Sequence, residues 1–134
     1  MMKLKNKNLL INKCYVNGTW ISSNKKIKVI NPATGELIVE VPDFGKKETA
    51  NAIDAAELAF KAWSKFTAHE RSKILKKWYD LVIDNQDDLA TIMTAEQGKP
   101  LSEAKGEIIY AANFIEWFAE EAKRVYGDVL PDPI

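Results

Sequence analysis

Cysteine, histidine and charge of one sign are what this 134-residue sequence has least of. A single cysteine, Cys14, excludes an intramolecular disulfide framework and any all-cysteine metal site, and it fits a reducing compartment. A lone histidine, His69, supports neither a zinc site nor a Ser-His-Asp triad. Nineteen basic residues balance nineteen acidic ones, and no long run of either sign occurs. The electrostatic footprint of a nucleic-acid or anionic-lipid binder is therefore missing, and neither DNA, RNA nor membrane is an expected partner. Residues 1–12 are polar and rich in Lys and Asn, and the run Leu9-Leu10-Ile11 near their end is too short for a signal-peptide core or a membrane span. The expected location is the cytoplasm. No Gly-x-Gly-x-x-Gly and no Gly-x-x-x-x-Gly-Lys occurs, so no phosphate cradle can be read. Internal repeats and low-complexity tracts are also missing.

What is present is enough apolar residue, 46%, for the core of one domain or part of one. After a flexible start over residues 1–12, residues 13–44 read as a β-hairpin segment and residues 45–134 as a helical one. In the first hairpin, Asn17-Gly18 supplies the positive φ angles of a tight type I′ turn between Tyr15-Val16 and Thr19-Trp20-Ile21. The second hairpin turns at Asn31-Pro32-Ala33-Thr34-Gly35, between strands 27–30 and 37–41, with Pro42 as a stop. From Lys46 the apolar period becomes helical, and Ile53, Ala56, Phe60 and Trp63 share a face. Thr67 and Glu70 form a capping-box pattern ahead of a second helix carrying Ile74, Trp78, Leu81 and Val82. A third, short helix opens at Asn85 with Asp87 and Asp88, and Gly98 before Pro100 ends it near Gln97.

The fourth helix, expected over residues 101–125, carries two apolar faces. Ile108, Ala111, Ile115, Phe118, Ala122 and Val125 make one; Tyr110, Phe114 and Trp117 make the other. Together they exceed the ~100° arc of an ordinary surface helix, so this helix is expected to be covered on more than one side. Residues 127–134 read as a helix exit and extended linker, which points to further covering structure beyond this sequence. A four-helix domain that dimerises through the aromatic face is the alternative.

Groups for chemistry are few. Cys14 has no nearby histidine or helix start to make its thiol reactive, His69 reads as solvent-facing, and Glu116, Glu120 and Glu121 lie on a polar strip with Lys123 and Arg124. Gly106, inside a helix, marks close packing or the close approach of another group, with packing favoured.

The order of the motifs is more informative than any one residue. Asn31-Pro32-Ala33-Thr34-Gly35-Glu36, then Ala62-Trp63, then the run from Glu96-Gln97-Gly98-Lys99-Pro100 to Ala104 before a long aromatic helix, resembles the N-terminal region of the aldehyde dehydrogenase superfamily. The stretch from Gly106-Glu107 through Tyr110-Ala111-Ala112 and Phe114–Glu121 to Lys123-Arg124-Val125-Tyr126-Gly127-Asp128 resembles the succinate-semialdehyde dehydrogenase branch. The resemblance implies an α/β parent fold, of which this sequence would be two hairpins and about four helices at the front of the NAD(P)-binding domain. It implies NAD or NADP as cofactor of the parent, a small aldehyde as substrate, homo-oligomerisation, and the rest of the dehydrogenase as partner.

In that family a cysteine thiolate attacks the aldehyde, hydride passes to the nicotinamide, and a glutamate activates the water that releases the acid. Those residues, and the cofactor loop, come later in the family than this sequence reaches. No catalytic or cofactor-binding residue is thus expected here, Cys14, Arg71 and Arg124 inherit no role, and neither turnover nor cofactor binding is expected of the chain alone. Two roles do map onto it. Glu96 and the backbone carbonyl near Ile30 resemble the ligands of a monovalent cation, while Gly106 and Tyr110 fall where relatives line the substrate tunnel. A stand-alone interaction module, or one subunit of a split dehydrogenase, are the alternatives.

Overall fold

The computed structural model describes residues 2–128, and it begins with the two turns that glycine makes possible. Asn17 and Gly18 have φ of 49° and 78°, as a type I′ turn requires, and they join β1 (Cys14–Val16) to an antiparallel β2 (Thr19–Ile21). A second antiparallel pair follows, β3 (Lys26–Ile30) with β4 (Leu37–Pro42), and a bulge breaks its register between Val29 and Ile30. Its turn is closed by the Asn31 side chain, which accepts the amides of Ala33 and Thr34 at 2.9 and 3.3 Å. β4 ends at Pro42 as expected, with the proline itself its last residue, opposite Lys26, where the expected strand closed at Val41. A strand end in a two-stranded sheet has no inner ladder to lose, so proline is tolerated there.

Four helices follow: α1 (Lys46–Trp63), α2 (Ala68–Asp84), α3 (Gln86–Gln97) and α4 (Leu101–Glu121). The capping box of α2 forms as its sequence requires, since the Glu70 amide donates to the Thr67 hydroxyl at 3.2 Å and the Thr67 amide to the Glu70 carboxylate at 2.8 Å. That Thr67 backbone amide, and after it the Thr67 hydroxyl, holds the Glu70 carboxyl below the usual glutamate range. A depressed folded pKa means the unfolded chain takes the proton first. The contribution is therefore complete above the ordinary glutamate pKa and is lost as pH falls through it toward the folded value. Glu70→Gln is expected to flatten the fall of the melting temperature in acid; an identical slope for both proteins contradicts this.

Helix α3 ends on Gly98 at φ 77°, whose amide donates to the Thr94 carbonyl. A Cβ on Gly98 would stand 3.0 Å from the Pro32 ring, so the turn of the second hairpin is seated on the end of α3. Helix α4 stops four residues short of the expected Val125. Lys123 and Arg124 donate to carbonyls three residues back, Glu120 and Glu121, which tightens the chain out of the α-helical period. Residues 129–134 of the expected linker lie outside the described residues.

Helix α4 packs across α2 and α3, and the face it buries differs from the expected one. Ala104, Ala112 and Ala119 are buried, flanked by half-buried Ile108, Ile115 and Ala122, whereas Ala111 and Phe118 are exposed. Small side chains let two helix axes approach closely, so the alanines, not the larger residues, face the neighbouring helices. No large side chain is fully buried among the described residues, and α1 buries none of its residues, with Phe60 63% exposed.

Within the segment expected to be flexible, Lys5 and Asn6 are tied to α3. A short 3-10 turn spans Lys7–Leu9. The Lys5 and Asn6 amides donate to the Asp88 carboxylate at 3.0 and 2.7 Å, and Asp88 is only 6% exposed. Hydrogen bonds to a charged group contribute about 1.5–3 kcal/mol each, which holds Lys5 and Asn6 against α3. Asp88→Ala is expected to speed tryptic cleavage after Lys3, Lys5 and Lys7 while leaving the helical circular dichroism in place; unchanged cleavage rates would refute the anchoring role.

Candidate functional site

Gly106 and Tyr110 stand one turn apart on the side of α4 away from its alanines. A Cβ built on Gly106 meets nothing within 4 Å, so the favoured reading of this glycine as a packing residue finds no support among the described residues. Tyr110 is 65% exposed and meets Phe114 edge to face, with ring centroids 5.0 Å apart and planes at 85°. Tyr110, Phe114, Trp117 and Phe118 wall an open cleft of about 340 Å³ to which Asn113 adds an amide. Sequence periodicity places Phe118 on the other face and does not single out Asn113. Only the packing direction of α4 separates these assignments.

Ile30 and Glu96 are both exposed, at the end of β3 and near the end of α3. Their neighbours Asn31 and Ala95 line one cavity of about 590 Å³, which also takes in Met2, Leu10, Thr94 and Gly98. The Thr94 hydroxyl oxygen is buried in that region without a hydrogen-bond partner, a feature no sequence pattern announces. Among the described residues, no three His, Cys, Asp or Glu side chains gather into a metal site, and no helix is long and apolar enough to cross a membrane. Cys14 lies half-buried in β1 as a free thiol, and His69 is exposed in the first turn of α2. The acidic strip of α4 is held in ion pairs: Glu116 with Lys76 of α2, Glu120 with Lys123, and Glu121 with Arg124.

An α4 with one side buried and the other bare of cover asks what larger structure it belongs to. The family model described as "Aldehyde dehydrogenase family" matches residues 20–133. The chain belongs to the aldehyde dehydrogenase family. It is 58% identical over 132 residues to a glutarate-semialdehyde dehydrogenase of Pseudomonas putida, covering 97% of this chain and 28% of that protein. It is 54% identical over 132 residues to an NADP(+) succinate-semialdehyde dehydrogenase of Escherichia coli, covering 97% and 27%. The crystal structure of an aldehyde dehydrogenase from Brucella melitensis biovar abortus 2308 superposes with a TM-score of 0.96 at 55% identity, over 100% of this chain and 28% of that one. The two hairpins and four helices are thus part of the α/β fold of an aldehyde dehydrogenase. The chain spans a little over a quarter of the length of the relatives it matches.

Proposed function

We propose that this chain is the front section of a nicotinamide-dependent aldehyde dehydrogenase that oxidises succinate semialdehyde or its close homologue glutarate semialdehyde to the dicarboxylate. The observation that carries the reading is the uncovered apolar surface. Helix α1 buries no residue and α4 leaves Tyr110, Phe114, Trp117 and Phe118 open, in a chain that spans about 28% of the length of its Pseudomonas putida relative. Surfaces of this kind are avoided by soluble monomers and are normal where other structure packs. The remainder of the dehydrogenase is the partner that covers them. It brings the thiolate, the glutamate base and the NAD or NADP site, so the isolated chain turns nothing over and binds no cofactor.

Within that enzyme Gly106 and Tyr110 line the passage by which the small aldehyde reaches the thiolate. The open side of Gly106 supports this, because a missing side chain leaves room where an aldehyde has to pass. Glu96 and the Ile30 carbonyl hold a monovalent cation through oxygen ligands, as a hard cation prefers. The bulge at Val29/Ile30 supports this second role by interrupting the ladder where the carbonyl is needed. The enzyme is a homo-oligomer of the cytoplasm. Balanced charge supports the absence of nucleic-acid and membrane partners.

A hybrid enzyme tests the reading. This chain replaces the matching segment of the Pseudomonas putida relative, and reduction of NAD or NADP is followed with succinate and glutarate semialdehydes. Retained turnover is expected; a soluble, assembled hybrid that turns over neither aldehyde would sink the proposal.

A further inference from the structure

Successive residues of an α-helix are turned by roughly 100° about its axis, which divides α4 into four strips. Ala104, Ala112 and Ala119 occupy the strip against α2 and α3, and Gly106, Tyr110, Asn113 and Trp117 occupy the opposite one. Two boundaries run between them. Lys105 and Glu116 lie along one boundary and Glu107 along the other, and each of the three is ion-paired to a different part of the fold. The Lys105 ammonium is 2.7 Å from Asp87 in the first turn of α3. Glu116 pairs with Lys76 of α2, and Glu107 pairs with Lys99 in the turn that leads from α3 into α4.

An alanine strip brings helices close but resists rotation weakly, because methyl groups make shallow ridges. The three pairs supply what the alanines lack. Rotating α4 by one residue's angle in either direction pulls the charges on both boundaries away from their partners together. We propose that Lys105, Glu107 and Glu116 are positioning residues that set the rotation of α4 about its axis and so aim Gly106 and Tyr110. This rests on the reading of that strip as part of the aldehyde passage. Gly106 has an ion-paired residue on either side of it in sequence, so the one position in the helix without a side chain is held between two fixed points. Exposed pairs of this kind add little stability singly; their effect is directional.

The test uses the hybrid enzyme labelled with fluorotryptophan, in which the Trp117 resonance is assigned by its loss in Trp117→Phe. Glu107→Lys and Lys99→Glu are each expected to shift or broaden the Trp117 resonance while those of Trp20 in β2 and Trp63 in α1 stay in place. The double swap, Lys99→Glu with Glu107→Lys, restores the pair with reversed sign and is expected to return the Trp117 resonance. Glu107→Gln gives the same displacement without like charges, should a charge reversal unfold the chain. A Trp117 resonance indifferent to the single changes, or not recovered in the double swap, overturns the proposal. So does one already broad in the unaltered hybrid, since the pairs would then not hold the helix. None of these outcomes depends on turnover, so the dehydrogenase reading is judged separately by the activity of the hybrid enzyme.

Discussion

Leucine in place of Ala112 lowers the stability of the chain by about 1–3 kcal/mol, read from the midpoint of urea unfolding, because three extra carbons cannot enter a closed helix contact without displacing it. Folded domains of ordinary stability have only about 5–15 kcal/mol in hand, and this one has no fully buried large side chain among its described residues. Its margin rests on the alanine strip. Ala111→Leu is the control, one residue along and exposed, and a surface substitution of that kind stays within about 0.5 kcal/mol. Equal effects of the two leucines would show that the buried side of α4 has been misassigned.

Gly106→Phe is expected to separate folding from function more sharply than any other change. In the chain itself a Cβ at this position meets nothing within 4 Å, and helix propensity improves slightly on replacing glycine. Stability therefore holds or rises, and Gly106→Ala raises it by about 1 kcal/mol. In the hybrid enzyme the same ring enters the proposed passage, where a displacement of reactants by an ångström costs on the order of a hundredfold in rate. The expected result is a fall of about that size in kcat/KM for succinate semialdehyde with the melting temperature unchanged. Full activity in the Phe variant would remove Gly106 from the passage.

These two positions also show where sequence reasoning reaches its end. Features decided by neighbouring residues were legible: the Asn17-Gly18 turn, the Thr67 and Glu70 capping box, and the Gly98 stop of α3 all form where their chemistry requires. The buried side of α4 was legible only in part. Aromatic residues dominate a periodicity reading, whereas closeness to α2 and α3 selects alanine, so periodicity picks Ala111 and Phe118 where the fold buries Ala112 and Ala119. The anchoring of residues 5 and 6 to Asp88 crosses more than eighty positions of sequence, and no local pattern encodes it. The end of α4 was overestimated because Ala122 and Val125 continue the apolar period after the backbone has already left it.

The candidate site rests on a different kind of reading. Gly106, Tyr110, Ile30 and Glu96 came from motif order, since neither periodicity nor charge singles them out as a group. Geometry adds that Gly106 opens outward and that Tyr110 stands in an aromatic wall with Asn113, Phe114, Trp117 and Phe118. It also adds the ion pairs on either side of Gly106, which sequence spacing alone did not connect.

Under the proposed function this chain needs the rest of a dehydrogenase to cover its open faces and supply the reacting groups. The most direct measurement mixes the purified chain with a separately produced remainder of the Pseudomonas putida relative and follows nicotinamide reduction with glutarate and succinate semialdehydes. Silence from each part alone and turnover on mixing is the predicted result. Turnover by the 134-residue chain on its own would contradict the account, as would two folded parts that neither associate nor react.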